Sequence, residues 1–221
     1  MYIQLNGQII CYKKSGSGQP VILLHGNGED HSIFKELSDV LCKNFTVYAI
    51  DTRGHGESAV PGEFHYSDMA ADVVNFIRAL EIESPILCGF SDGGITALLT
   101  AVHHSGLLSG LVVCGANLSP KGLKGKTLRE IRRRAKLGGN PLDELMLREP
   151  DIRETDLSCI RIPTFILAGE HDIVKPKETK RIASAIPNAT LEILPGEDHG
   201  SYVIHSARLA PYFAAITSLI S

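Results

Sequence analysis

Short apolar runs rich in β-branched residues alternate along the chain with segments of helical period. This alternation is typical of βαβ units, which build a mostly parallel sheet with helices on both faces. In an open sheet of this kind, ligands bind at the edge where the strands end, so the residues that follow each strand are the first candidates for function. The predicted buried strands are 21–24, 45–50, 85–88, 111–114, 164–167 and 191–194.

The N-terminal residues depart from this alternation. Strands are predicted over 2–5 and 8–12, and they flank Asn6-Gly7, a dipeptide that suits the two positive φ angles of a type I′ turn. The chain is therefore expected to begin with an antiparallel hairpin. Further along, Ser67 is predicted to cap a helix whose apolar face holds Met69, Val73, Phe76, Ile77 and Leu80.

The composition is that of one large globular domain or of a domain with a small insertion. Of the 221 residues, 43% are hydrophobic and 21% are charged, which suits a buried core under a solvated surface. The longest apolar runs are only a few residues, so no membrane-spanning helix and no membrane partner are expected. A net charge of −3 gives no general attraction to nucleic acid, and no nucleic-acid partner is expected.

The start of the chain and its cysteines bear on location. Residues 1–7 lack the basic and apolar regions of a signal peptide. The five cysteines are an odd number without a C-x-x-C pair, which fits a reducing compartment better than a disulfide or zinc framework. A cytoplasmic location is expected.

One stretch, 117–158, contains no strand candidate between two strands that should be neighbours. It is predicted to be a helical insertion, with a capping box at Thr127–Glu130 and a second helix start at Asn140-Pro141. Its charge is segregated, because 121–136 holds eight Lys or Arg and 143–156 holds six Asp or Glu. Two interpretations stay open: ion pairs within a solvated helical surface, or a patch that attracts anions.

A nucleophile motif follows the strand 85–88. Gly89-Phe90-Ser91-Asp92-Gly93 matches G-x-S-x-G in the strand, tight turn and helix context that this motif requires. Glycines without Cβ atoms let the strand and the helix approach each other, while the serine is held above the sheet. Ser91 is therefore the predicted nucleophile.

A serine nucleophile needs a base and a group that orients the base. Asp172 and His199 follow the strands 164–167 and 191–194, so parallel strands would place both at the same sheet edge as Ser91. His199 is the predicted base and Asp172 its acid. Asp198 is a rival acid, although neighbouring side chains seldom point at each other. Among the remaining histidines, surface or packing roles are expected for His171, His103 and His104.

No helical H-x-x-x-H pattern with a carboxylate is present, so no metal site is predicted. Acyl transfer also requires two hydrogen-bond donors for the developing oxyanion. The backbone N–H groups of Asn27, in the turn after 21–24, and of Asp92 are the predicted pair. The Asp92 side chain could serve the helix dipole or contact substrate. In the polar turn 51–58, Arg53 and His55 are predicted to have scaffold roles.

Taken together, these motifs resemble those of the α/β-hydrolase superfamily over nearly the whole chain. The matches come in order: the oxyanion turn 25–28, the turn 51–58, the elbow 89–93, the acid turn 169–172 and the terminal Asp198-His199-Gly200. The resemblance implies an eight-stranded, mostly parallel sheet with an antiparallel second strand. It also implies a core formed by 1–116 and 159–221, with 117–158 as a cap inserted after the sixth strand.

The resemblance implies a serine hydrolase that cleaves a small or medium carboxylic ester and needs no cofactor. Dehalogenases and epoxide hydrolases are disfavoured because they use an aspartate where this chain has Ser91. A prolyl aminopeptidase is disfavoured because its elbow has a tryptophan after the serine, and this chain contains no tryptophan. Thioester hydrolysis, C–C bond hydrolysis and a ligand-sensing receptor remain alternatives, and the oligomeric state is open.

The predicted cap is rich in leucine and contains no aromatic residue. Its pocket-facing part is therefore expected to be aliphatic and to favour aliphatic acyl groups. The alternative is that the basic run 132–134 steers anionic substrates. The salt dependence of hydrolysis distinguishes these two possibilities, because salt screens the steering of an anionic substrate but does not weaken apolar binding. A neutral ester is expected to tolerate both high salt and Arg133→Glu.

Overall fold

The computed structural model describes residues 1–220. Its eight strands are β1 (Tyr2–Leu5), β2 (Gln8–Ser15), β3 (Gln19–Leu24), β4 (Phe45–Ile50), β5 (Ile86–Phe90), β6 (Gly110–Cys114), β7 (Thr164–Gly169) and β8 (Ala189–Leu194). Its eight α-helices are α1 (Lys35–Leu41), α2 (Tyr66–Ala79), α3 (Asp92–His104), α4 (Gly125–Lys136), α5 (Pro141–Arg148), α6 (Glu154–Leu157), α7 (Pro176–Ala185) and α8 (Ala210–Ile220). Within residues 1–220, no helix combines the length and the apolar character that crossing a membrane requires.

The strands form one sheet in the order β1-β2-β4-β3-β5-β6-β7-β8. β2 pairs antiparallel with both β1 and β4, and every pairing from β4 to β8 is parallel. The predicted eight-stranded, mostly parallel sheet with an antiparallel second strand is confirmed. At the first turn, Asn6 and Gly7 have φ angles of 48° and 85°, as a type I′ turn requires.

Two large apolar clusters, one on each face of the sheet, form the core. The central strands are buried on both sides, as their continuous apolar runs predict. The prediction of a buried strand is wrong for 191–194, where only Leu194 is buried and Ile193 is 37% exposed. The reason is topological, since β8 pairs only with β7 and ends the sheet.

Two predicted helix starts are wrong. α2 begins at Tyr66 with His65 in the capping position, so Ser67 lies inside the first turn. α4 begins at Gly125 after Lys124, so Thr127 lies too far along the helix to cap it. The Lys124 N–H donates to the carbonyl oxygen of Ile173 at 2.8 Å, and this contact with the core precedes the first turn. A tertiary contact therefore determines where α4 begins, and the local capping signal at Thr127 does not.

The segment between β6 and β7 contains a short 3₁₀ helix (Pro120–Gly122) followed by α4, α5 and α6. α5 begins as predicted, because the Asn140 side chain accepts a hydrogen bond from the Leu142 N–H at 2.8 Å. Three ion pairs form inside the segment, and they include two of the eight basic residues in 121–136. The pairs are Arg133–Glu130, Arg134–Asp143 and Arg153–Asp156.

Candidate active site

Ser91 lies on the sharp turn between β5 and α3, with φ 54° and ψ −115°. A non-glycine residue at positive φ is strained, and such strain is typical of functional turns. Two glycines make the turn possible. A Cβ at Gly89 would lie 2.1 Å from the carbonyl oxygen of Gly93, and a Cβ at Gly93 would lie 2.2 Å from that of Leu24.

The structure brings Ser91, His199 and Asp172 together in one hydrogen-bonded row. His199 Nε2 lies 3.0 Å from Ser91 Oγ, and His199 Nδ1 lies 2.7 Å from Asp172 Oδ1. The loops after β7 and β8 carry Asp172 and His199 to the same sheet edge as Ser91 because these strands are parallel to β5. Both distances lie within the range that proton transfer from a serine requires.

Asp172 is buried, and its Oδ1 also accepts the N–H of Val174 at 2.8 Å, which holds the carboxylate in place. The rival Asp198 points elsewhere. Its carboxylate accepts the N–H groups of Gly200 and Ser201 at 2.9 and 2.8 Å and so shapes the loop that carries His199. His171 is exposed at the surface.

Both predicted oxyanion donors lie near Ser91, because Asp92 follows it in the chain and Asn27 lines the same cavity. Within residues 1–220, the backbone N–H groups of Asn27 and Asp92 donate no hydrogen bond to the protein. Their side chains do contact each other, because Asn27 Nδ2 donates to Asp92 Oδ2 at 3.0 Å. Free N–H groups beside a serine hydroxyl are what an oxyanion hole requires.

The turn 51–58 is a scaffold, as predicted for Arg53 and His55. Arg53 forms a two-pronged ion pair with Asp72, with both distances at 2.7 Å. The His55 ring packs against the ring of His25, with centroids 4.9 Å apart. Asp51, Asp30 and His31 hold possible metal-ligand atoms within 4.8 Å of one another. The Asp51 carboxylate accepts the backbone N–H of His31 at 2.7 Å, so it links the turn 51–58 to the segment after β3 that holds Asp30 and His31.

His25 joins the oxyanion turn to the turn 51–58. Its Nδ1 lies 2.7 Å from the carbonyl oxygen of Gly26, and its Nε2 accepts the N–H of Thr52 at 3.1 Å. These bonds require the neutral ring with the proton on Nδ1. Burial, together with the neighbouring His55, lowers the pKa of His25 to about 4.

This low pKa predicts a loss of stability in mild acid. Below about pH 6.5 the unfolded chain binds a proton at His25, whereas the folded chain does not bind it until the pH approaches 4. The free energy of unfolding therefore falls as the pH drops from 6.5 towards 4. We expect this one group to remove about 2 kcal/mol between pH 7 and pH 5. Urea unfolding of wild type and His25→Gln at both pH values measures this loss of stability, because the variant has no imidazole at position 25 to take up the proton.

The exposed His171→Gln is the matched control and should follow the wild type at both pH values. A stability difference between wild type and His25→Gln that is the same at pH 7 and pH 5 would contradict the prediction.

A cavity of about 490 Å³ opens above Ser91 and His199. Its volume is in the range of small-molecule sites. Phe90, Ile173 and Ile204 form apolar walls, and Glu29 contributes a carboxylate. Residues 117–158 contribute Lys126, Thr127, Glu130, Ile131, Arg134 and Met146.

Glu29 is a site residue that the sequence analysis missed. Its Oε2 accepts the N–H of Gly26 at 2.8 Å, and burial raises the pKa of its carboxyl. A Cβ at Gly26 would lie 2.8 Å from Glu29 Oε2 and 3.1 Å from Ser91 Cβ, so the carboxyl lies close to the serine. The only sequence signal was its position within the glycine-rich turn after β3.

The expectation of an aliphatic cap surface is met only by Ile131 and Met146. The other cavity-lining residues of this segment are polar or charged, because leucines such as Leu118 and Leu145 pack into the core below. Arg133 does not line the cavity. Its guanidinium pairs with Glu130 at 2.7 Å.

Comparisons with known proteins agree with this architecture. Residues 19–137 match the family described as the α/β hydrolase fold. Serine hydrolase BPHL of Mus musculus is 26% identical over 234 residues, which cover 91% of this chain and 80% of that protein. The 2-hydroxy-6-oxo-6-(2'-aminophenyl)hexa-2,4-dienoic acid hydrolase of Metapseudomonas resinovorans is 32% identical over 120 residues, or 52% of this chain and 41% of that protein.

Among solved structures, a thermophilic esterase from Thermogutta terrifontis superposes with a TM-score of 0.80 at 23% identity, covering 100% of this chain and 99% of the esterase. The family match spans more than half of the chain, and it includes the oxyanion turn and the elbow that carries Ser91. The chain belongs to the α/β hydrolase fold family.

Proposed function

We propose that this chain is a serine hydrolase that cleaves a small or medium carboxylic ester through an acyl-enzyme on Ser91. The observation that carries the proposal is the row of contacts from Ser91 Oγ through His199 to Asp172, at 3.0 and 2.7 Å. Asp172 holds the Nδ1–H tautomer of His199, which leaves Nε2 free to accept the serine proton.

In the first half of the reaction, Ser91 Oγ attacks the ester carbonyl carbon while its proton moves to His199 Nε2. The carbonyl oxygen becomes an oxyanion, and the N–H groups of Asn27 and Asp92 stabilise it. The carbon–oxygen bond to the alcohol then breaks, and the alcohol leaves with the proton from Nε2.

In the second half, water attacks the acyl-enzyme. His199 Nε2 accepts the proton of this water, and the same donors stabilise the second oxyanion. Collapse releases the carboxylic acid and returns the proton to Ser91 Oγ. The cavity of about 490 Å³ favours compact substrates over extended ones.

The test combines covalent labelling with a substrate panel. A fluorophosphonate probe is expected to label the wild-type chain at Ser91, as peptide mapping by mass spectrometry would show. A panel of 4-nitrophenyl esters from acetate to decanoate, with matched thioesters, is expected to give repeated turnover with the short and medium esters. A probe that labels no serine, or labels one other than Ser91, would contradict the proposal.

C–C bond hydrolysis is the second candidate, and the match to the Metapseudomonas resinovorans hydrolase favours it. The dienoic acid in the name of that hydrolase would distinguish the two, because its turnover with no ester turnover would replace the ester proposal. A ligand-sensing receptor would instead stall after about one cycle.

The position of Lys126 in the cavity predicts a preference for anionic over neutral substrates. Lys126 lines the cavity without an ion pair within residues 1–220, whereas Arg134 is paired with the buried carboxylate of Asp143. A charge contact of about 1 kcal/mol in water corresponds to about a fivefold effect. We therefore expect Lys126→Met to lower kcat/KM for a hemisuccinate ester by about fivefold, and to change that for the matched neutral butyrate by less than twofold.

The control is Arg132→Met, which removes an exposed charge from the same helix without touching the cavity. Arg133 is a poor control because its loss would leave Glu130 unpaired at the cavity wall. Equal effects of Lys126→Met and Arg132→Met on the anionic ester would contradict a specific contact and indicate general steering. In 1 M salt, Lys126→Met should no longer lower kcat/KM for the hemisuccinate ester, because salt screens the charge contact.

A further inference from the structure

The two residues proposed to donate their N–H groups to the oxyanion are joined by their own side chains. Asn27 belongs to the turn after β3, and Asp92 is the first residue of α3. These segments are 65 residues apart in the chain, yet Asn27 Nδ2 donates to Asp92 Oδ2 at 3.0 Å. The bond therefore spans the gap between the two halves of the oxyanion hole.

The Asp92 carboxylate is buried, with only 5% of the residue exposed, and within residues 1–220 it has no Lys or Arg partner. Its titratable neighbours are Tyr66, His55, His199 and Glu29. Burial raises the pKa of Asp92, and the Asn27 hydrogen bond opposes that rise. This hydrogen bond is expensive to lose, because the buried Asp92 carboxylate would then be desolvated without its Asn27 partner.

Two other roles for the Asp92 side chain fit the structure less well. It does not line the cavity above Ser91, so contact with substrate is not its function, whereas Asn27 does line that cavity. An interaction with the helix dipole alone would not require the hydrogen bond to Asn27. The buried contact with Asn27 explains why this carboxylate turns inwards.

We propose that the Asn27–Asp92 side-chain hydrogen bond is a positioning device that holds the two oxyanion donors at a set separation. The proposal rests on the proposed serine hydrolase function. Each residue acts twice: its backbone N–H donates to the oxyanion, and its side chain fixes the location of the other residue's backbone. A donor displaced by a fraction of an ångström loses much of its stabilising effect on the transition state.

The test uses Asn27→Ala, Asp92→Ala, the double variant and the conservative Asp92→Asn. Loss of one oxyanion donor costs about 10²- to 10³-fold in kcat, and a displaced donor should cost less. We expect Asn27→Ala to lower kcat for a short 4-nitrophenyl ester by about 10- to 100-fold, with KM within about twofold. Asp92→Asn should recover most of the kcat that Asp92→Ala loses, because its amide oxygen can accept the same hydrogen bond.

Two readouts separate positioning from a merely structural role. A trifluoromethyl ketone forms an oxyanion adduct with the serine, so its affinity should fall in Asn27→Ala by the same factor as kcat, while the affinity of the matched methyl ketone should not. The double variant should be about as slow as the slower single variant, because both changes break one bond.

The proposal would be overturned if Asn27→Ala lost equal affinity for the two ketones. It would also be overturned if the kcat losses of the single variants multiplied in the double variant, or if Asp92→Asn were as slow as Asp92→Ala. Should Asp92→Ala fail to fold, Asn27→Ala and Asp92→Asn still carry the test, since Asn27 is only half-buried. Fluorophosphonate labelling distinguishes failure of this proposal from failure of the proposed function. A wild-type kcat in Asn27→Ala with Ser91 labelled rejects only the positioning device, while an unlabelled Ser91 rejects the proposed function.

Discussion

Ser91→Ala should lower kcat for a short carboxylic ester by about 10⁶-fold, the scale found when a triad serine is removed. The variant lacks the atom that forms the acyl-enzyme, so the remaining oxyanion donors and the cavity can assist only direct attack by water. Steady-state hydrolysis of a 4-nitrophenyl ester, corrected for the spontaneous rate, measures the loss.

The fold should survive this change. The Ser91 hydroxyl contacts His199 at 3.0 Å, and the glycines at 89 and 93 that permit the turn are untouched. Thermal unfolding within a few degrees of wild type is the control. Ester hydrolysis near the wild-type rate by the folded variant would rule out Ser91 as the nucleophile.

Asp172→Asn should lower kcat by about 10⁴-fold, the effect of the corresponding change in a serine triad. An amide in place of the carboxylate can present its N–H₂ group to His199 Nδ1, and this favours the tautomer with the proton on Nε2. That tautomer cannot accept the proton of Ser91. Asp172 Oδ1 accepts the Val174 N–H and also faces His199 Nδ1, so an amide that turns its N–H₂ group to His199 gives up the Val174 hydrogen bond as well. Thermal unfolding of the variant measures what that loss costs.

Asp198→Asn is the matched control, because it changes the neighbouring carboxylate in the same way. Asp198 bonds only backbone N–H groups and a serine of its own loop, so a change of a few fold is expected. If Asp198→Asn had the lower kcat of the two variants, Asp198 and not Asp172 would be the acid that orients His199. Circular dichroism and thermal unfolding of both variants confirm that the comparison is between folded proteins.

The position of the candidate site could be predicted from local sequence. Ser91, Asp172 and His199 each follow an apolar run, and parallel strands bring the residues that follow them to one sheet edge. The hairpin at Asn6-Gly7 was equally predictable, because few other dipeptides tolerate two positive φ angles.

Helix starts and strand exposure were less predictable. Thr127 carries a capping signal, but the bond from Lys124 to Ile173 starts α4 earlier. The apolar residues of β8 suggest a buried strand, but its place at the end of the sheet leaves Ile193 exposed. Both depend on contacts between residues that are distant in the chain.

The α/β architecture, the nucleophile turn and the strand ends that carry the predicted acid and base follow from the local sequence, because each depends on short-range periodicity and on glycine sterics. The charges that face the cavity depend instead on how distant segments pack. The packing of Ile131 and Leu123 against Val174 orients α4, so that Lys126 and Arg134 line the cavity while Arg133 does not. The pairing of Asn27 with Asp92 was also a tertiary outcome, because two neighbouring parallel strands bring together side chains that no local pattern connects.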